Sequence, residues 1–224
     1  MKKAFKQLVN VVADLFIPTP CLICEGLLSY GRSPWCERCA NRLTRLNSDD
    51  LEQARVRTKL DGLYVPFQFD ELISRLIHDG KYRERPDIFC RVGEWLAENF
   101  SAPQLDDDAS FVPIPLHPTR LAERGFNQSA LIARIVARQK NRKYFPLLLQ
   151  RLSPTLSQTN LTRDQREKNV MGVFSVVAGV SHGDIRSVVL VDDIITTGST
   201  IGQAAHVLRN NGVETVVALA IAQA

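Results

Sequence analysis

The second half of the chain alternates between continuous apolar runs and amphipathic stretches. Residues 188–191 and 215–221 are almost entirely apolar, and between them residues 200–211 show helical periodicity that stops at Gly212. A strand that reads as an unbroken apolar run is typical of a parallel sheet covered on both faces, and a helix between two such strands is the usual crossover. The pattern therefore predicts an α/β fold with a mostly parallel sheet flanked by helices.

Upstream, the spacing of apolar residues switches several times between the strand period and the helix period. Strands are predicted over residues 64–69 and 173–177, a short proline-rich apolar run lies at 111–116, and helices are predicted over 71–77, 87–100 and 127–142. Residues 47–60 carry mixed charge without clear periodicity, and we interpret them as a linker.

The first twenty residues predict a short amphipathic helix. Its apolar positions fall at three- and four-residue spacing and are Phe5, Leu8, Val9, Val12 and Phe16. Polar residues interrupt the apolar run and no small-residue cleavage site follows, so a secretory signal is not expected. The helix either docks on its own domain, which we favour, or contacts a membrane surface or a partner. No run approaches the ~18 apolar residues of a membrane span, so we expect no transmembrane segment and a cytoplasmic protein.

Four of the five cysteines stand in two C-x-x-C pairs. Cys21 and Cys24 form the first pair, Cys36 and Cys39 form the second, and eleven residues separate the pairs. Each pair can turn two thiolates toward one ion, which predicts a tetrahedral four-cysteine zinc site. Four thiolates leave no open coordination position, so the expected zinc is structural. Two disulfides are the alternative, which a reducing cytosol disfavours.

The composition is that of an ordinary globular protein, with 45% hydrophobic and 23% charged residues in 224. The net charge of +4 is unevenly spread. Residues 113–170 hold eleven Lys or Arg against three Asp or Glu, so this stretch carries +8 and the rest of the chain −4. The basic stretch suits an anionic partner, either phosphate or nucleic acid, or else it is a solvated helix face.

The sequence VVLVDDIITTGST, residues 188–200, places two carboxylates directly after the most apolar strand. Ligands of open α/β sheets bind at the carboxyl ends of the strands, where this loop precedes a helix. Hydroxyls, backbone N–H groups and a glycine at the positive end of a helix dipole predict a monophosphate site, formed by Thr196, Thr197, Gly198, Ser199 and Thr200. Asp192 and Asp193 are suited to the vicinal hydroxyls of a ribose attached to that phosphate. Both are expected at a strand end, outside the core.

Two other phosphate-binding motifs are missing from this sequence. A Walker-type loop needs a lysine before its Ser/Thr, and a dinucleotide-binding motif needs G-x-G-x-x-G. The remaining alternative is a pair of capping aspartates followed by an ordinary turn. It does not explain so many phosphate-compatible groups in one loop.

The same stretch resembles the phosphoribosyl pyrophosphate (PRPP) signature of type I phosphoribosyltransferases. Further motifs narrow the resemblance to the ComF family: IHDGKY (77–82), VPIPLHPTRLAERGFNQS (112–129), the segment 158–169 and the four-cysteine element. The resemblance covers nearly the whole chain except the first twenty residues. Beyond the amphipathic helix over 1–20, we therefore expect a zinc-ribbon-like element with a linker over 21–60 and a type I phosphoribosyltransferase-like domain over 61–224.

The resemblance also implies where a pyrophosphate would bind. In this fold the loop after an earlier strand has that role, which points to Leu116, His117, Arg120 and Arg124. Guanidinium groups recognise phosphates through bidentate contacts. Each candidate has an alternative: residues 124–128 are also a helix start capped by Asn127, and His117 is equally a structural histidine. Lys81 is a further candidate, although we favour a solvated lysine at a helix end.

The polar, basic segment over 153–170 precedes a predicted strand. In the transferases that the chain resembles, a mobile loop closes over PRPP and excludes water from the reactive sugar. Arg163 and Lys168 are the candidate phosphate contacts of such a loop. A flexible surface loop without that role is the alternative.

As a whole, the resemblance implies a protein of DNA uptake and natural transformation that binds PRPP with magnesium, or another ribose 5-phosphate ligand. The alternative is an active phosphoribosyltransferase of nucleotide metabolism, which would release pyrophosphate and transfer ribose phosphate to an acceptor that the sequence does not identify. Single-stranded DNA or a DNA-uptake protein are the implied partners. Aromatic residues are only 7% and are not interleaved with the basic stretch, so residue pattern alone gives direct DNA binding little support.

Overall fold

The computed structural model of the protein describes residues 19–28, 33–151, 173–177 and 185–224. The apolar positions of the predicted N-terminal helix lie outside these residues, as do Arg163 and Lys168. Within the described ranges, no helix has the length and apolar character that crossing a membrane requires.

Four strands at the centre of the described fold run parallel, as predicted. They are β1 (Gly62–Tyr64), β3 (Ser110–Pro113), β6 (Ser187–Val191) and β8 (Thr215–Leu219), in the order β1-β8-β6-β3. All of β6 and all but the first residue of β8 are buried, which is why both strands read as apolar runs. Val191 lies opposite both Leu219 and Pro113, so three strands end at one edge of the sheet.

Three of these strands continue beyond a break of two residues. β2 (Phe67–Gln68), β7 (Ile194–Ile195) and β9 (Ala222–Gln223) pair in parallel in the order β2-β9-β7, which matches β1-β8-β6. The break between β6 and β7 consists of Asp192 and Asp193. Backbone hydrogen bonds cross this break, from the Asp192 N–H to the Leu219 carbonyl (3.0 Å) and from the Ile221 N–H to the Asp193 carbonyl (3.1 Å). The sheet therefore holds the acidic pair in place, at the edge where ligands of such folds bind.

The predicted helices over 71–77, 87–100, 127–142 and 200–211 are confirmed, the first running more than a turn further than predicted. The helices are α1 (Glu37–Ala40), α2 (Ser48–Thr58), α3 (Glu71–Tyr82), α4 (Pro86–Asn99), α5 (Pro118–Arg124), α6 (Gln128–Gln139) and α7 (Ser199–Asn210). Asp70 and Asn127 begin α3 and α6, because their side chains accept backbone N–H groups of the first turn. β4 (Leu149–Arg151) and β5 (Phe174–Val176) form a separate antiparallel pair.

Side-chain alternation along β6 divides the apolar interior into two cores. Val189 and Val191 face the core that holds buried residues of α3, α4 and α6, whereas Val188 and Leu190 face the core that holds α7. Burying one such side chain stabilises the fold by about 1.5–3 kcal/mol. The two layers together fix the sheet, and hence the position of the acidic pair at its edge.

The four-cysteine element packs directly on the first of these cores. Trp35, between the two cysteine pairs, places its ring 5.4 Å from that of Phe67 and 5.2 Å from that of Trp95. Trp35 is 4% exposed and Trp95 is 8% exposed. The element is therefore joined to the main sheet by aromatic contacts rather than only by the chain.

Residues 47–60, interpreted as a linker, contain helix α2 instead. Asn47 accepts a hydrogen bond from the Asp50 N–H at 2.8 Å and begins the helix. The sequence pattern gave no sign of it because the helix buries only Ala54 and Thr58, which is too little for an apolar stripe. The domain division at residue 60 stays a prediction.

Candidate functional site

Side chains from two helices hold the acidic pair. The Ser129 hydroxyl donates to Asp192 Oδ1 at 3.0 Å, and the Gln128 amide donates to Asp193 Oδ1 at 3.1 Å, both from the first turn of α6. The Lys81 ammonium, near the end of α3, forms an ion pair with Asp193 Oδ2. Asp193 is 4% exposed, so the expectation that both carboxylates lie outside the core is wrong for this residue.

The two carboxylates differ in their electrostatic environment. Removal from water, followed by the negative charge of Asp193, raises the pKa of Asp192 to about 8. Lys81 supplies a counter-charge to Asp193, whereas Asp192 accepts hydrogen bonds from two neutral donors, the Ser129 hydroxyl and the Asp193 backbone N–H. A ligand that brings a cation or hydroxyl donors would stabilise the ionised form of Asp192. Binding such a ligand would therefore release a proton below about pH 8.

A cavity of about 550 Å³ opens next to this pair. Its lining residues come from five separate elements and loops and are Lys81, Leu116, His117, Thr119, Arg120, Arg124, Gln128 and Arg151. Four of them are cationic and none is a carboxylate. Because Lys81 and Gln128 also contact Asp193, the cavity and the acidic pair are parts of one site.

All five residues proposed for the pyrophosphate side line this cavity. Lys81 is not the solvated lysine that we favoured, since its side chain is 17% exposed and turned inward to Asp193. His117 lines the cavity, and its Nδ1 accepts the Thr119 N–H at 3.3 Å at the start of α5, which is the structural role given as the alternative. Arg124 also lines the cavity, while Asn127 caps the following helix as the alternative proposed.

Three lining or anchoring residues were not identified from the sequence. Gln128 and Ser129 begin α6 and belong to the motif RGFNQS. Their place in this motif, directly after the capping Asn127, was the sequence signal that could have identified them. Arg151 ends β4, its guanidinium lies 5.6 Å from the Phe174 ring centroid, and its Nε has no hydrogen-bond partner among the described residues. Nothing in the sequence around Arg151 distinguishes it from a surface arginine.

The predicted phosphate loop lies between β7 and α7. Gly198 has a φ of 78°, in the left-handed region, and directly precedes the helix. The Thr197 hydroxyl accepts the Ser199 N–H at 3.3 Å, and the loop's threonine and serine side chains are exposed. Asp192, Thr196 and Gly198 line one small concavity of about 20 Å³. The acidic pair and the helix N-terminus, which attracts anions, are therefore neighbours in space as well as in sequence.

Helix α2 packs against this loop through its last residues, Arg57 and Thr58. A Cβ atom at Gly198 would lie 2.3 Å from Thr58 Cγ2, which no side chain tolerates without movement. Arg57 donates to the Thr196 carbonyl at 3.4 Å. The segment interpreted as a linker therefore supports the conformation of the phosphate loop.

The four cysteines of the two C-x-x-C pairs form one cluster. Their sulfur atoms all lie within 4.8 Å of one another, and Cys24 Sγ and Cys36 Sγ are 3.8 Å apart. A tetrahedral zinc with Zn–S bonds of about 2.3 Å places its sulfurs roughly 3.8 Å apart, so the cluster fits zinc. The backbone N–H groups of Ile23 and Cys36 both point to Cys21 Sγ at 3.4 Å. All five cysteines of the chain are free thiols, so the structure favours a metal site over disulfides.

The thiols of this cluster ionise unequally. The Gly26 backbone hydrogen bond and the neighbouring thiols lower the pKa of Cys24 to about 6. Burial, followed by hydrogen bonds to the other cysteines, raises the pKa of Cys39 to about 12. Thiolates accumulate in one place only at a high electrostatic cost, which a divalent cation would offset.

The sheet, the acidic pair and the hydroxyl-rich loop at its carboxyl edge define a class of protein. A sequence profile described as a phosphoribosyl transferase domain matches residues 132–223, which contain both the pair and the loop. The chain has the phosphoribosyltransferase fold. It is also similar to the solved allosteric regulatory enzyme of purine biosynthesis, with a TM-score of 0.43 and 20% identity. That match covers 64% of this chain and 29% of the other, so it spans less than a third of the solved chain.

Two named relatives match nearly the whole chain. Competence protein F of Haemophilus influenzae is 26% identical over 207 residues, which are 90% of each chain. The DNA utilization protein YhgH of Shigella flexneri is 28% identical over 223 residues, covering 90% of this chain and 96% of that one. These relatives, together with the phosphoribosyl transferase profile, support the ComF family that the motifs predicted.

Proposed function

We propose that the protein binds PRPP, or another ribose 5-phosphate ligand, at the acidic pair and the phosphate loop, and that it acts in DNA uptake and natural transformation. The observation that carries the first part is the placement of Asp192 and Asp193 between the hydroxyl-rich loop at the N-terminus of α7 and the cation-lined cavity. A ribose with a phosphate at each end is complementary to this arrangement, because its two anions would face the loop and the cations while its hydroxyls would face the carboxylates.

Each part of the ligand has a matching group in this proposal. The 5-phosphate would accept hydrogen bonds from Thr197 and from backbone N–H groups at the start of α7. The ribose hydroxyls would donate to Asp192 and Asp193, and the pyrophosphate would enter the cavity beside Arg120 and Arg151. Magnesium fits the donor set, since carboxylate and phosphate oxygens are its usual ligands, and it would neutralise phosphate charge.

Titration with fragments of PRPP tests this assignment part by part. Thr197→Val should weaken ribose 5-phosphate binding about tenfold and leave pyrophosphate binding unchanged, since a charge-assisted hydrogen bond contributes about 1.5–3 kcal/mol. Arg120→Gln should do the reverse. Arg138→Gln, on the exposed side of α6 away from the cavity, is the matched control and should change neither. If Thr197→Val and Arg120→Gln affect both fragments alike, the two-ended assignment is wrong.

Ribosyl transfer is the second candidate function, and the size of the cavity favours it. A volume of about 550 Å³ beside the acidic pair leaves room for a departing pyrophosphate. In that reaction the bond between ribose C1 and the pyrophosphate oxygen breaks, pyrophosphate leaves with the electron pair, and an acceptor nucleophile bonds to C1. Pyrophosphate release from PRPP, measured with and without a panel of nucleobases, tests it directly. Release at the uncatalysed rate in every case would exclude this function.

The role in DNA uptake is supported by the names of the relatives, competence protein F and DNA utilization protein. Deleting the gene in its host should lower the frequency of natural transformation. Complementation with the unchanged gene should restore it, and complementation with Asp192→Asn/Asp193→Asn should not. Full rescue by the double variant would separate the biological role from the ribose-phosphate site.

A further inference from the structure

The sulfurs of the four-cysteine cluster differ in how far solvent reaches their residues. Cys21 and Cys39 are 1% and 0% exposed, and Cys36 is half-buried. Cys24 is exposed, although its sulfur lies within 4.8 Å of the other three. The cluster therefore presents one of its candidate zinc ligands to small reagents in the solvent.

The residue two positions after Cys24 leaves this thiol open. Gly26 has no side chain, and a Cβ atom placed there would lie 3.5 Å from Cys24 Sγ, which is ordinary van der Waals contact. The φ of Gly26 is not in the left-handed region, so its backbone conformation does not require glycine. A side chain at this position would cover the sulfur, whereas glycine leaves it uncovered.

A second thiol stands within reach of Cys24. Cys36 Sγ, from the other C-x-x-C pair, lies 3.8 Å from Cys24 Sγ. A disulfide bond is about 2.05 Å long, so the two sulfurs would have to approach each other by about 1.8 Å. Oxidation of an exposed thiolate to a sulfenic acid, followed by condensation with a neighbouring thiol, forms such a bond. Cys24 has the exposure that the first step needs, and Cys36 has the proximity that the second step needs.

Cys36 is also joined to the contact between the four-cysteine element and the main sheet. It directly follows Trp35, whose ring lies 5.4 Å from that of Phe67 and 5.2 Å from that of Trp95. Its backbone N–H points to Cys21 Sγ at 3.4 Å, so the backbone at this residue is fitted to the cluster. A rearrangement of the cluster at Cys36 would therefore displace Trp35 from the aromatic contact.

We propose that Cys24 is a site of oxidation by peroxide, and that the disulfide it then forms with Cys36 releases the zinc and loosens Trp35 from the main core. The Cys24 thiolate attacks one oxygen of hydrogen peroxide, the O–O bond breaks, and hydroxide leaves, which gives a sulfenic acid. The Cys36 thiolate attacks that sulfur, forms the S–S bond and expels a second hydroxide. The two sulfurs lose two electrons, which peroxide gains, and zinc leaves because two of its four ligands are lost. The proposal does not depend on any ligand of the acidic pair.

Peroxide treatment of the zinc-loaded full chain tests the proposal, with the released zinc measured by a chromogenic chelator. In the unchanged protein, zinc release should accompany the loss of two of the five thiols, and peptide mass mapping should find the disulfide between Cys24 and Cys36. Tryptophan emission should shift to longer wavelength in step with the release, because Trp35 leaves a buried position. A thiol reductant with added zinc should reverse both changes.

Three variants identify the thiol that reacts. Gly26→Val keeps all four cysteines and covers Cys24, so it should slow zinc release about fivefold or more. Cys24→His keeps a zinc ligand but removes the exposed thiol, so it should slow release at least about tenfold. Cys90→Ser is the control, because it removes the one cysteine outside the cluster and should leave the rate unchanged.

The results that would overturn the proposal are distinct from those that bear on the proposed function. Equal release rates in zinc-loaded Gly26→Val and the unchanged protein would mean that Cys24 is not the thiol attacked. A disulfide within one C-x-x-C pair would overturn the assignment of Cys36. Zinc release without a change in tryptophan emission would contradict the link to the main core. An unchanged protein that holds no zinc would refute the inference and leave the ribose-phosphate site standing.

Discussion

Replacing Lys81 by methionine removes one partner of a buried ion pair and retains most of the side-chain volume. The side chains of Lys81 and Asp193 are 17% and 6% exposed. The neutral amide of Gln128 would remain as a side-chain donor to that carboxylate. Breaking a fully buried pair in this way costs about 3–5 kcal/mol. Lys81 also lines the open cavity, so water replaces part of its effect, and we expect a loss of about 2 kcal/mol in the free energy of unfolding.

Urea unfolding of the Lys81→Met variant and of the unchanged protein at neutral pH is the assay. For a chain of this size, 2 kcal/mol corresponds to a melting temperature lower by about 4–8 °C. Arg85→Gln is the control, because Arg85 and Asp87 form an exposed pair whose loss should cost less than about 1 kcal/mol. Lys81→Met combined with Asp193→Asn should recover part of the loss. A loss no larger than that of the control would refute the buried-pair account.

Three further predictions follow from the site and its supports. Gly198→Ala should destabilise the protein by at least about 1 kcal/mol in urea unfolding, because of the left-handed backbone and the clash with Thr58, and Thr58→Ser should restore part of the loss. The Asp192→Asn variant should be more stable than the unchanged protein near pH 8 but not near pH 4. The reason is that the raised pKa of Asp192 makes the unchanged protein lose stability as pH rises. Parallel curves of unfolding free energy against pH for the two proteins would contradict this. Elemental analysis should find about one zinc per chain, and the Cys24→Ser variant should lose it. Chelation should change the fluorescence of Trp35, because this buried side chain packs on the main core. A folded, metal-free protein with four intact thiols would contradict the zinc site.

The parts of the fold that sequence predicted are those with strong local signals. The strand β6 is an unbroken apolar run, the following loop concentrates hydroxyls beside a glycine, and two C-x-x-C pairs have the spacing of a metal site. Helix α2 had no such signal, because it is held by its cap and by contact with the phosphate loop rather than by an apolar stripe. A helix of that kind is recognisable only once its neighbours are known.

The connections within the site could not be predicted for a different reason. Gln128 and Ser129 reach carboxylates more than sixty residues away in sequence, and Lys81 reaches one of them from another helix. Arg151 lines the cavity from the end of β4. Each of these side chains alone resembles an ordinary surface residue, and only the packing of several elements gives it a partner.

Calorimetric titration of PRPP with magnesium into the unchanged protein and into Asp192→Asn/Asp193→Asn tests the central claim most directly. The asparagines keep the shape of the pair and remove the charge that accepts the ribose hydroxyls. We expect affinity to fall at least about tenfold, since each lost charge-assisted contact contributes about 1.5–3 kcal/mol and 1.4 kcal/mol is a factor of ten. A melting curve of the double variant confirms that it is folded. Unchanged PRPP affinity in the folded double variant, or no binding to the unchanged protein, would contradict a ribose-phosphate site at this edge of the sheet.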